Sequence, residues 1–125
     1  MKTVRQSSSQ LGRWAEELAY AHLCEKGLHG VERNYRCSQG EVDLVMRQGD
    51  ILVFVEVRYR ARQCYGSGLE SVDISKQRRL IAIADEYLYK HREARDYRCR
   101  FDVVAISGSQ RHPQLNWVVD AFRGE

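Results

Sequence analysis

The sequence predicts a single α/β domain in which helices flank a mixed sheet, and three features carry that expectation. Two segments repeat their apolar residues at the three- and four-residue steps of a helix, and five shorter segments have the composition of strands. The second helix lies between the third and fourth strands, where a right-handed crossover joins parallel neighbours.

Each element follows from local signals. Residues 1–9, including the Ser7-Ser8-Ser9 run, read as a flexible arm ahead of a domain spanning 10–125. From Gln10 to Lys26, Leu11, Trp14, Ala15, Leu18, Ala21 and His22 mark one apolar helix face, and Gly27 supplies a stop. Leu28 to Arg36 is a weaker strand. Glu41 to Met46 and Ile51 to Tyr59 are stronger ones, separated by Arg47-Gln48-Gly49-Asp50 as a hairpin turn. The second of these is apolar on both faces at its middle, which suits a central strand. After a loop from Arg60 to about Val72, Asp73 or Ser75 caps a helix reaching His91, with Ile74, Gln77, Leu80, Ile81, Ala84, Tyr87 and Leu88 on its buried side. Strands near Arg98 to Ile106 and Leu115 to Phe122 complete the order αβββαββ.

Composition narrows the function classes. With 125 residues the chain has the length of one domain, and a domain of this size buries roughly two-thirds of its unfolded surface. Hydrophobic residues at 43% beside a single proline exclude a disordered chain. The longest apolar run, Ile51 to Val55, falls far short of the ~20 residues of a membrane helix, and no export signal opens the chain, so a cytoplasmic location is expected. Cys24, Cys37, Cys64 and Cys99 lack the C-x-x-C spacing of a zinc site and read as reduced thiols. A net charge of +3 does not by itself mark a nucleic-acid binder, but the basic residues gather mid-chain, in Arg58, Arg60 and Arg62 and again in Lys76, Arg78 and Arg79.

Asp43 and Glu56 demand explanation because each interrupts a segment otherwise composed for burial. Strand alternation puts Glu41, Asp43 and Val45 on one face and Phe54, Glu56 and Arg58 on one face of the next strand. With Gln48-Gly49 as the hairpin loop Asp43 is diagonal to Glu56; with Gly49-Asp50 it is directly opposite. Either register brings the carboxylates together, and Arg58 stands beside them. Such a cluster is a buried ion network holding the sheet in register, or a Mg²⁺ site that binds phosphate oxygen and activates water. On the first helix Glu16 lies in a row with Gly12, Ala19 and Leu23 and is placed to face the sheet, whereas Glu17 falls on the polar side.

The stretches GRWAEELA (Gly12 to Ala19), GEVDLV (Gly40 to Val45), VFVEVR (Val53 to Arg58), Ser71 to Leu80 and RFDVV (Arg100 to Val104), in this order, resemble the YraN family of bacterial proteins over about Gly12 to Phe122. That family in turn resembles the PD-(D/E)xK nucleases and, in shape, archaeal Holliday junction resolvases. The resemblance implies a restriction-endonuclease-like αβββαβ core with an extra C-terminal strand. It implies an endonuclease acting on nucleic-acid phosphodiesters, branched or damaged DNA ahead of RNA, or a binding module that kept the fold without efficient cleavage. Asp43 matches the motif's first acid, Glu56 its second, and Glu16 the acid of the leading helix. Asp43, Glu56 and the carbonyl of Val57 are then the ligands of Mg²⁺ or Mn²⁺. Arg58 stands in place of the motif's lysine and, always protonated, stabilises charge on the phosphate instead of taking a proton. The proline that precedes the first acid is replaced by Val42.

Nucleic-acid contacts are expected from Arg60, Arg62, Lys76, Arg78 and Arg79, the last three because cations in the first turns of a helix oppose its dipole and call for an anion. Tyr65 is placed to stack on a base. Asp102, alone in an apolar strand, is expected to be structural, capping or pairing with an arginine. Resolvase-like relatives cut as dimers, which makes a homodimer an open expectation.

Overall fold

The computed structural model describes residues 2–60 and 72–124, with side chains from residue 10 onward. It contains α1 (Lys2–Glu25), β1 (His29–Cys37), β2 (Gly40–Gln48), β3 (Ile51–Arg60), α2 (Ile74–Lys90), a 3₁₀ turn (Arg92–Ala94), β4 (Arg98–Gly108) and β5 (Pro113–Phe122). The five strands form one sheet in the order β1-β2-β3-β4-β5. β3 and β4 are parallel and the other neighbours antiparallel, so α2 is the crossover. This is the mixed α/β architecture expected, with the αβββαβ order of a restriction-endonuclease-like core and β5 as the added strand.

Two hydrophobic cores cover the two faces of the sheet. Ala15, Ala19 and Leu23 of α1 pack with Leu44, Met46, Val53, Val55, Val104 and Ile106. Leu80, Ile83, Ala84 and Tyr87 of α2 pack with Val45, Leu52, Phe54, Phe101 and Val103. Successive residues of β3 therefore enter opposite cores, which is why its centre has no polar face. Phe54 anchors one side by edge contact with Tyr87, the ring centroids 5.7 Å apart.

α1 is helical from Lys2, through the residues 1–9 read as an arm ahead of the domain. The segment contains no glycine or proline to stop a helix, and serine is a tolerable interior residue. Its far end closes as a Schellman motif. Gly27 at φ +99° lets its own N–H reach Cys24 O at 3.0 Å and the Leu28 N–H reach Leu23 O at 3.0 Å, and Leu28 then packs in the same core as Leu23.

At the start of α2, Asp73 is the cap, its side chain accepting the Lys76 N–H at 2.8 Å. The buried face is rotated from the expected one: Ile74 is 58% exposed and Ile83 fully buried. Four- and three-residue steps back from Leu80 lead to Lys76 and Gln77, not to Ile74, so the first turn presents a lysine inward. Among the described residues no helix is long and apolar enough to cross a membrane. Cys24, Cys37 and Cys99 are free thiols, and burial pushes Cys99 up to about 11; Cys64 lies outside the described residues.

Candidate functional site

The β2–β3 hairpin closes through Gly49-Asp50, since Gln48 pairs with Ile51, and Gly49 takes φ +61° to make the turn. That register sets position 43 against position 56, the directly opposite arrangement. The ladder itself stops one step earlier, at Leu44–Val55. Beyond it β2 stays with β1 down to Gly40, while β3 stays with β4 as far as Arg60. The two strands part there, and Asp43 and Glu56 flank the fork.

Backbone irregularities mark the same place. Val42 and Val45 enter the α2 core while Leu44 enters the α1 core, so the strand turns over at Asp43 instead of alternating through it. Across β1 the ladder pairs Arg33 with Leu44 and Tyr35 with Val42, leaving Asn34 between them at φ +51°. A polar residue that tolerates left-handed backbone therefore stands beside the acid.

Inside the fork Asp43 Oδ2 accepts the Val57 N–H at 2.8 Å, supplying a bond that a continued ladder would have given from backbone. Glu56 is 4% exposed. Its Oε2 lies 3.0 Å from Lys76 Nζ, reaching down from α2, and 3.5 Å from Arg58 Nε on its own strand. Asn34 Nδ2 donates to Glu16 Oε1 at 3.0 Å. Glu17, one residue on, is exposed and pairs with Arg33 at 2.7 Å.

The electrostatics follow from that placement. Burial pushes Asp43 up to about 7, and the charges of Glu56 and Glu16 push the same way, against the pull of the Val57 N–H and the Lys76 ammonium. Three carboxylates thus share the field of a half-buried position. Lys76 and the Val57 N–H do not offset burial and the two neighbouring charges at Asp43.

Among the described residues no three His, Cys, Asp or Glu side chains are grouped as metal ligands. Mg²⁺, however, usually takes one or two carboxylates and keeps several waters. The donors present fit that requirement: Asp43 and Glu56 stand at the fork on neighbouring strands, and burial with the charges of Glu56 and Glu16 raises Asp43, a cost that a bound cation would relieve. Val57 enters the site through its N–H, beside the carbonyl expected as a ligand.

The expected contact residues divide. Arg60, Arg78 and Arg79 are exposed, Arg79 lying along Gly40, where an added Cβ would meet its Cδ at 3.0 Å. Arg62 and Tyr65 lie outside the described residues. Lys76, expected among the phosphate contacts, meets Glu56, nearer than Arg58 does. Its position in the row of Leu80, Ile83 and Tyr87 was the available signal, because that row is the buried face. Asn34 carried no signal that its sequence neighbours reveal.

The family model described as "Uncharacterised protein family UPF0102" matches residues 15–106. The chain belongs to the UPF0102 (YraN) family. A UPF0102 protein of Stutzerimonas stutzeri is 50% identical over 115 residues, covering 92% of this chain and 96% of the relative. One from Pseudomonas aeruginosa is 47% identical over 122 residues, with 96% and 98% covered, and one from Nitrosococcus oceani 44% identical over 114 residues, with 91% and 92% covered. The span matched by the UPF0102 model contains Glu16, Asn34, Asp43, Glu56, Arg58 and Lys76. It also contains Asp102, which pairs with Arg100 as expected, at 2.9 and 3.0 Å.

Proposed function

We propose that this UPF0102 chain is a metal-dependent phosphodiesterase of the nuclease type, acting on nucleic acid and on DNA ahead of RNA. One observation carries the reading. Two carboxylates from adjacent strands meet where the ladder between them opens, with an ammonium and a guanidinium on one of them. A purely structural ion network gains most inside a closed ladder, where every partner can be satisfied. Here the acids stand where the ladder ends, and burial together with the neighbouring carboxylates raises one of them to about 7.

Asp43, Glu56 and the Val57 carbonyl would hold Mg²⁺ or Mn²⁺. Bound there, the ion supplies a water of lowered pKa and a Lewis acid for the phosphate. Asp43 is oriented for this by its bond to the Val57 N–H, and Glu56 by the packing of β3 between two cores. Arg58 offers a fixed positive charge to the phosphate as charge accumulates there, since a guanidinium does not give up its proton. Arg60, Arg78 and Arg79 extend the cationic surface along which a backbone of phosphates would lie.

A second reading, a binding module without efficient cleavage, is favoured by the 3.0 Å contact in which Lys76 already occupies Glu56. Incubating the purified chain with duplex, branched and single-stranded DNA and with RNA, in Mg²⁺ or Mn²⁺, separates the two. Cleavage is expected, lost by more than about 100-fold in Asp43→Ala and Glu56→Gln, because even residues behind a metal's ligands contribute 10- to 100-fold. Salt-sensitive binding with no cleavage of any substrate would leave the binding module.

A further inference from the structure

Lys76 sits in the first turn of α2, where the positive end of the helix disfavours an ammonium. Its backbone is fixed by the Asp73 cap, and its side chain, 27% exposed, reaches Glu56 with its ammonium. It meets Glu56 on Oε2, the same oxygen that Arg58 approaches at the longer distance of 3.5 Å. A strongly hydrated, flexible ammonium is easier to move than a planar guanidinium carried on the same strand as its acid.

Resting on the metal-site reading above, we propose that Lys76 is an exchangeable counterion: it holds Glu56 in the metal-free protein, yields that carboxylate when a divalent cation binds, and then meets the phosphate of the substrate. A cation is needed at Glu56 in both states, because a carboxylate 4% exposed is not left uncompensated. Lysine and metal ion cannot both be closest to one carboxylate without repelling each other. Binding therefore requires Lys76 to leave, and its side chain, 27% exposed, already reaches solvent.

The test is a calorimetric titration of Mn²⁺ and Mg²⁺ into the intact chain and its variants. Removing a competitor tightens binding, so Lys76→Met is expected to bind about fivefold more tightly than wild type, the equivalent of a partly buried ion pair. Lys76→Gln, which keeps a hydrogen-bonding head without charge, should do the same if Met disturbs folding, and Lys76→Arg, a competitor harder to displace, should bind no more tightly than wild type. In urea the metal-free Lys76→Gln protein should unfold earlier than wild type, and saturating metal should erase the difference. Cleavage by both neutral variants should fall at least tenfold despite tighter metal binding. Unchanged or weaker affinity in both, with binding still abolished by Asp43→Ala, overturns the exchange and leaves the metal site standing. Absence of metal binding in wild type and every variant overturns the metal site itself.

Discussion

Two acids withdrawn from solvent on strands flanking β3 have opposite surroundings. Asp102 on β4 is 1% exposed and receives four N–H groups: Arg100 Nε at 2.9 Å, Arg100 Nη2 at 3.0 Å, Trp117 Nε1 at 2.9 Å and the Asp120 N–H at 2.9 Å. Asp43 on β2 receives, among the described residues, the Val57 N–H and faces two further carboxylates. Both strands are irregular at the acid. At Asp102 the β4–β5 register shifts between Phe101 and Val103, and Asp120 turns to φ +56°, aiming its N–H into the carboxylate. The irregularity closes one acid and opens the other. The number of donors reaching a carboxylate, and not its burial, decides whether it fastens the fold or remains available for chemistry.

The strongest way to break this contrast is to truncate the closed acid. Asp102→Ala strands the guanidinium of Arg100, which is 15% exposed and otherwise held by Gln48 at 2.7 Å, together with the Trp117 and Asp120 N–H groups. A loss of about 3–5 kcal/mol in urea unfolding is expected, with metal affinity unchanged if the variant folds. A loss below about 1 kcal/mol would show that Asp102 is not the fastening the geometry suggests.

The open acid should respond in the reverse sense. Asp43 is pushed up to about 7 in the folded chain, against an ordinary carboxylate near 4 in the unfolded one. Between these values the folded state binds the extra proton, so stability falls as pH rises from about 4 to 7, and the cost is fully present above that window. Asp43→Asn removes it. The metal-free variant should gain on the order of 1–2 kcal/mol over wild type at pH 8, shrinking towards zero near pH 4, while losing metal binding. Urea midpoints across that range check it, and parallel curves for the two proteins would contradict the assigned field.

Arg58→Lys is a finer probe. If the proposed cleavage holds and Lys76 supplies the mobile ammonium, a lysine on the strand should change its rate by less than about tenfold, a step worth 1.4 kcal/mol of barrier. A larger gain would place the missing chemistry at position 58.

The fold was largely legible because it rests on periodicity. The two-faced apolar run of β3 placed it at the sheet's centre, and the α2 segment between β3 and β4 announced the parallel pair. Asp43 and Glu56 were legible as misfits in those runs, and Asp102 as a lone polar residue in another. The termination of the β2–β3 ladder was not, since pairing length depends on how the whole sheet twists and not on local composition. Lys76 was legible as a candidate phosphate contact but not as a partner of Glu56, although its helical spacing from Leu80 placed it on the buried face.

Asn34 gives the smallest and most local test of the fork. It stands at φ +51°, a conformation costing an alanine roughly 1–2 kcal/mol and glycine nothing comparable, and its amide holds Glu16 at 3.0 Å. Asn34→Ala and Asn34→Gly both delete the Glu16 bond, but only alanine adds backbone strain, so alanine should be the less stable by about 1 kcal/mol. Metal affinity separates what Glu16 does. Its influence on Asp43 runs through charge, without a bond between them, so releasing it by Asn34→Gly should change Mn²⁺ binding by less than about threefold. If Asn34→Gly weakens binding as strongly as Asp43→Ala, the β1 irregularity is part of the metal's own shell, and the open acid is built from three strands instead of two.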